Sequence, residues 1–159
     1  MGLSELAQLG WYKREASSPQ EIRSLFTIVE RCESDVQVDT ISDDLRFQAA
    51  YNGILTLANI ALRATGYRVS MGQGHHQKTI ESLEYTLSTQ AEDVRIRWVR
   101  KLKVHSQKRN MASYDLAGGV SPGDLAQIAR DMHILREQVC EWLAEVHPEL
   151  TWEGTTGIG

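Results

Sequence analysis

An all-α domain, an antiparallel bundle of about five helices, is the fold class this sequence predicts. Three observations carry that expectation. Apolar residues recur at three- and four-residue spacing through most of the 159 residues, the period of a helix face. The β-branched alternation of half-buried strands is almost absent. The three prolines, Pro19, Pro122 and Pro148, sit where helices would start or stop and not inside one.

The elements follow in order. A short helix is expected near residues 3 to 10, with Leu3, Leu6 and Ala7 on one side, before a linker around Ser17. Ser18-Pro19-Gln20-Glu21 offers a capping serine, proline at the first helical position and a glutamate three residues after the serine. Ile22, Leu25, Phe26, Val29 and Cys32 form the buried stripe behind it. A third helix starts at Ser42-Asp43-Asp44, whose oxygens can cap free amides and whose charges suit the positive end of the helix dipole. Its core face is Phe47, Ala50, Tyr51, Ile54, Leu57, Ala58 and Ala61, and Thr65-Gly66 ends it. Residues 67 to 74 read as a loop. Ile80, Leu83 and Leu87 mark a fourth helix, with a break at Ser88-Thr89-Gln90.

The fifth helix has Val94, Trp98 and Leu102 on its inner side and frays near residues 112 to 119. Ser121-Pro122-Gly123-Asp124 is a second capping signal. After it Leu125, Ile128, Met132, Leu135, Val139, Trp142 and Val146 form a seam of alternating three- and four-residue steps. His147-Pro148 stops that helix. The expected organisation is a short helix and linker over residues 1–19, the bundle over 20–148 and a flexible tail over 149–159.

Composition excludes several classes. Apolar residues are 42% and charged residues 24% of the chain, which is globular and not disordered or fibrous. Cys32 and Cys140 lie among apolar residues without zinc-like spacing, so buried, inert thiols in a reducing compartment are expected. Neither a membrane span nor a signal peptide is expected, and the cytosol is the expected compartment.

Charge is uneven. Arg95, Arg97, Arg100, Lys101, Lys103, Lys108 and Arg109 fall within 15 residues that hold no acid, so a chain of net charge −4 has −11 on its other 144 residues. Cations with reach are what phosphate binding requires, and Arg95, Arg97, Arg100, Lys101, Lys103 and Lys108 are therefore candidate RNA-binding residues. The competing reading is a solvated face that pairs with the acidic remainder.

The segment Lys108-Arg109-Asn110-Met111-Ala112-Ser113-Tyr114 resembles the signature of the HEPN family. There an arginine, often followed by a polar residue such as asparagine, precedes a histidine by a gap of four to six residues. Arg109-Asn110 matches the first half; Tyr114 stands where a histidine would follow. Further points of the resemblance are Phe47-Gln48-Ala49-Ala50-Tyr51-Asn52 in a long helix, Gly66-Tyr67-Arg68, Gly74-His75-His76 and a terminal helix ending near Trp142-Leu143. It spans roughly residues 20 to 147.

The resemblance implies a small antiparallel bundle, frequently dimeric, whose best-known members are metal-independent ribonucleases of toxin–antitoxin, CRISPR and phage-defence systems. It implies in-line attack of a ribose 2′-hydroxyl on the adjacent phosphate. Arg109 and Asn110 would hold that phosphate, with Tyr114 beside them as a hydrogen-bond donor or a stacking ring. A phenol titrating near pH 10 is a poor base at neutral pH. His105, four residues before Arg109 on the same helical face, is the substitute proton carrier, against a bland reading as a surface histidine. The pair Arg100 and His105 has the right gap, but five residues turn the two side chains about 140° apart. Nucleotidylation of Tyr114 is a further possibility from the resemblance alone.

His75 and His76 read as a helix start or as imidazoles bonded into the bundle, and the family layout would set them near the functional groove. No cofactor and no metal site is expected. Trp98 and Trp142 belong to the core, whereas Trp11, Tyr12 and Trp152 lie outside the long helices and could cover a groove or a dimer surface. The expected partners are RNA, a second copy of the chain and a cognate antitoxin or regulatory protein. The alternative reading is a non-catalytic module of the same kind that binds a protein partner.

Overall fold

The structure is a computed structural model that describes residues 2–72, 74–114 and 119–151, apart from the side chains of 111–114. Six α-helices and a two-stranded sheet are found among these residues: α1 Leu3–Gln8, β1 Tyr12–Arg14, α2 Pro19–Val36, α3 Asp43–Ala64, β2 Tyr67–Val69, α4 His75–Glu81, α5 Glu92–Tyr114 and α6 Pro122–Val146. Short 3₁₀ turns at Ser82–Tyr85 and Pro148–Leu150 follow α4 and α6. The chain is an all-α helical bundle, as its periodicity predicts.

Helix α3 is the axis of that bundle. It packs on α2 and α6 along its length and touches α4, α5 and β2 as well. Its buried residues therefore cover a wide arc of the helix: Phe47, Ala50, Tyr51, Gly53, Ile54, Leu57, Ala58, Ile60, Ala61, Leu62, Arg63 and Ala64. A helix contacted by several neighbours needs a wide apolar face, and α3 keeps a narrow polar strip of Gln48, Asn52, Thr56 and Asn59. The α6 seam from Leu125 to Trp142 is buried against it, while Val146 at the last turn is 41% exposed. Both cysteines are free and buried, and burial pushes both thiols up, so they stay protonated and inert.

The capping signals work as read, with one exception. The backbone N–H groups of Glu21, Leu45 and Asp124 donate to the hydroxyls of Ser18, Ser42 and Ser121. Only the last is reciprocal, Ser121 N–H returning to Asp124 Oδ2 at 3.0 Å. The Glu21 carboxylate is taken instead by Arg63, whose Nε and Nη2 lie 3.1 and 2.9 Å from it. Arg63 is 5% exposed and also donates to the carbonyls of Glu15, Ala16 and Tyr67. Five acceptors surround one guanidinium, which is how a buried cation is tolerated.

Two expectations need correction. The stretch before Ser17 is not merely a linker, and residues 67 to 74 are not wholly loop. β1 and β2 pair antiparallel with Tyr12 opposite Val69, and Leu6, Tyr12, Leu62, Tyr67 and Val69 form a small second core. Tyr12 is thus buried and not a groove cover, its hydroxyl donating to the Lys78 carbonyl at 2.7 Å. Three-residue strands are too short for their alternation to register as a pattern. The fourth helix is also shorter than expected: it gives way to the 3₁₀ turn at Ser82, and buried Leu87 sits at φ +44°. The α5 backbone is still helical at Tyr114. Most of the expected tail lies outside the described residues, although Leu150 is buried in the main core.

Helix α3 packs tightly against α2 and α6 at Gly53, where a Cβ would stand 2.6 Å from Met132 Sδ and 3.2 Å from Cys32 Cβ. Gly53→Val is expected to cost about 3 kcal/mol through overpacking, despite the better helix propensity of any residue over glycine. Denaturant unfolding would read this as a lower midpoint at unchanged slope.

Candidate functional site

Helix α5 winds its cations around its whole circumference. At about 100° per residue, Arg97, Lys101 and Lys108 point one way, Arg100 and Lys103 others, and Arg109 continues the inner stripe of Trp98, Leu102 and His105. Most find partners on neighbouring elements. Arg95 donates to the Glu84 carbonyl at 2.7 Å. Arg97 pairs with Asp93, Lys101 with Asp131, Lys103 with Glu81 and Lys108 with Asp124, at 3.2 to 3.6 Å. Arg100 is exposed and has no ion pair among the described residues. The cations thus do not form one face, and the acids that answer them come largely from α4 and α6. Apart from Lys101–Asp131, whose carboxylate is buried, these pairs are solvent-accessible and contribute little to stability, roughly 0 to 1 kcal/mol each.

His105 is neither a surface residue nor free. It is 8% exposed, its ring meets Phe47 edge-on at 6.0 Å, and its Nε2–H donates to Asp131 Oδ2 at 2.8 Å. Asp131, 1% exposed, also accepts from Lys101 at 3.3 Å and from Gln127 Nε2 at 3.0 Å. Burial raises the Asp131 carboxyl, but the His105 hydrogen bond and the Lys101 charge outweigh it and hold the group below the usual carboxylate range. This network joins α5 to α6 one turn before Arg109. The substitute proton carrier proposed from sequence is therefore committed to a buried carboxylate.

Beyond that network, the surface opens. A cleft of about 410 Å³ lies between the loop before α4 and the last turns of α5, lined by Gly72, Gly74, His75, His76, Gln77, Ser106, Arg109 and Asn110. Gly74 caps α4 with φ +77°, a left-handed turn that starts the helix at His75. The two imidazoles stand edge to face, centroids 6.3 Å apart. Arg109 stacks over the Tyr51 ring at 5.5 Å and reaches Asn110 Oδ1 at 3.4 Å. Its Nε–H makes no hydrogen bond and the guanidinium has no ion pair among the described residues. Among the described residues no carboxylate lines the cleft. It has the character of an anion site, with one uncompensated guanidinium, two imidazoles, an amide and a hydroxyl.

His76 feels that environment. Burial lowers its basicity, and the positive charge of Arg109 and then His75 lower it further. Its neutral imidazole is accordingly favoured at pH 7. This association of His75 and His76 with Arg109 and Asn110 joins residues more than 30 apart, and no local spacing announces it. Two other anchors escaped the sequence reading: Arg63, whose one signal is a lone arginine in an apolar run, and Asp131, which flanks the α6 seam without any sign of its partner. The Tyr114 side chain and Trp152 lie outside the described residues. Among the described residues no three His, Cys, Asp or Glu side chains come together as a metal site, and no helix is long and apolar enough to cross a membrane.

No protein-family model matches this chain, and neither the curated proteins nor the solved structures contain a match. The chain is a helical bundle with a cleft between the start of α4 and the last turns of α5, lined by His75, His76, Arg109 and Asn110.

Two titrations follow. NMR of the histidine rings should place the His76 midpoint below the ordinary 6.5 of histidine, and Arg109→Ala should move it upward; an unmoved midpoint would deny the two side chains electrostatic contact. For Asp131 the folded state holds the carboxyl at lower pKa than the unfolded state, so its contribution is present above about pH 4 and is lost as pH falls through the folded value. Asp131→Asn is expected to destabilise the protein at pH 7 and to flatten the acid limb of its stability curve.

Proposed function

We propose that the chain is a HEPN-like, RNA-acting protein that cleaves RNA at the cleft between α4 and α5. The observation that carries this reading is the meeting of His75 and His76 with Arg109 and Asn110 in a cleft lined by no carboxylate among the described residues. Histidine beside arginine is the pair that the linear segment after Arg109 lacks. The resemblance from which the reading starts concerns the same Arg109-Asn110 step.

The chemistry follows from those groups. Neutral His76 accepts the proton of a ribose 2′-hydroxyl as its oxygen attacks the adjacent phosphorus. The bond from phosphorus to the 5′-oxygen breaks, and that oxygen takes a proton from His75 or from water. Arg109, held flat by Tyr51 and unpaired with any carboxylate described, stabilises the charge on the non-bridging oxygens. Asn110 offers an amide N–H to the same phosphate. The products are a 2′,3′-cyclic phosphate and a 5′-hydroxyl. As the resemblance implies, a second copy would bring two clefts into one assembly in the cytoplasm, and a cognate antitoxin would cover them.

A non-catalytic module that binds a protein partner is the second reading, favoured by the way α5 spends its cations on the protein's own acids.

Incubation with total RNA and with tRNA in EDTA decides between them. Cleavage leaving cyclic phosphate ends is expected, slowed about 10² to 10³-fold by Arg109→Ala and about 10² to 10⁴-fold by His76→Ala. Activity should rise with pH through a midpoint below 6.5, as the lowered His76 loses its proton. RNA left intact at high protein concentration, together with a defined protein in a pull-down, would replace the first reading by the second.

A further inference from the structure

We propose that Trp11 is a stacking subsite for a base of single-stranded RNA whose phosphate lies in the His76 and Arg109 cleft, an inference that rests on the RNA reading above. Trp11 is 39% exposed, although tryptophan ordinarily contributes its large ring to a core. Its exposure is not that of a loose residue. The Trp11 N–H donates to the Leu6 carbonyl and its carbonyl accepts from Ser70 N–H, both at 3.1 Å. Its neighbour Tyr12 is buried and ties β1 to α4 through the Lys78 carbonyl. The backbone that carries the part-exposed ring is thus held at both its N–H and its carbonyl.

Lys78 links this ring to the cleft. Its ammonium is 5.9 Å from the Trp11 ring centroid. It stands one turn along α4 from His75, a separation of about 5 Å along the helix. Unlike Lys103 and Lys108, Lys78 forms no ion pair with a carboxylate among the described residues. The segment that carries Met71, 90% exposed, runs between the two places through Gly72. An aromatic face, a cation beside it one turn from His75, and a cleft with no carboxylate among the described residues have the composition of a single-strand track, where rings take the bases and cations take the backbone. A partner of apolar surface would leave the charges of Lys78 and Arg109 unanswered, so a polyanion is the occupant these groups fit.

The test uses a 2′-O-methyl RNA oligomer, which has no free hydroxyl to attack with, and an abasic sugar-phosphate oligomer of the same length, titrated by fluorescence anisotropy at one low salt concentration. Trp11→Leu is expected to weaken the base-bearing oligomer about 10-fold and to leave the abasic one unchanged, with Trp11→Phe recovering most of the loss. Arg109→Ala should weaken both. If Trp11→Leu binds the base-bearing oligomer as tightly as the parent while Arg109→Ala does not, the subsite is overturned and the RNA reading stands. If the parent binds neither oligomer, the RNA reading fails and takes the subsite with it. If Trp11→Leu instead lowers the sedimentation coefficient, a second copy of the chain occupies the patch and the subsite is overturned.

Discussion

The central position of α3 is the constraint on which the rest of the structure depends. Helix α3 has α2 on one side, α6 on another and α4, α5 and β2 at further points, so that 12 of its 22 residues are buried while a narrow polar strip of Gln48, Asn52, Thr56 and Asn59 is not. Every other long helix then needs only one apolar stripe, turned toward that axis. Gly53 lets α2 and α6 come close, and Arg63 at the far end gathers the chain entering α2 and the chain leaving toward β2 onto the same guanidinium. The small sheet exists because of that end. It covers Leu62 with Leu6, Tyr12, Tyr67 and Val69 where the helices themselves run out.

Charge is organised across elements and seldom along them. The acids that meet α5 cations at Glu81, Asp124 and Asp131 belong to α4 and α6, so a segment that looks wholly basic in the chain is mostly neutralised in the fold. Against that background Arg109 is conspicuous for what it lacks. It takes the inner position on α5 that Trp98, Leu102 and His105 occupy earlier, but it does so at the end of the bundle, where the stripe emerges from the core. It meets the Tyr51 ring and two imidazoles instead of a carboxylate. The buried pair of His105 and Asp131 one turn back fixes the register of α5 on α6, and with it the place of Arg109. Truncating either member would leave the other's polar atoms buried, which is far more costly than losing an exposed pair.

How much of this was legible in the sequence depends on whether the signal was local. Periodicity over four or more turns picked out α2, α3, α5 and α6, and serine caps marked three of their starts, because both properties are written within a few residues of one another. The strands β1 and β2 were missed since three residues give no alternation to read, and the shortened α4 since a 3₁₀ turn keeps apolar spacing while changing the geometry. At the site, Arg109 and Asn110 stood out by their adjacency on a basic helix. His105 was noticed for a reason the fold does not honour, because a helical face seen in one dimension does not reveal whether it meets solvent or Asp131.

What the sequence by itself determined is the helical class, the apolar faces of the long helices and the arginine at the end of α5, all of which follow from the pattern of side chains and caps along a single segment. The tertiary structure alone decided which cations are answered by acids, that Tyr12 is buried while Trp11 is not, and that His75 and His76 face Arg109. These are meetings between residues tens of positions apart. Such pairings depend on how the helices cross and on which turn of each lies opposite which, and that geometry comes from packing around α3 and is not encoded in any one stretch of chain.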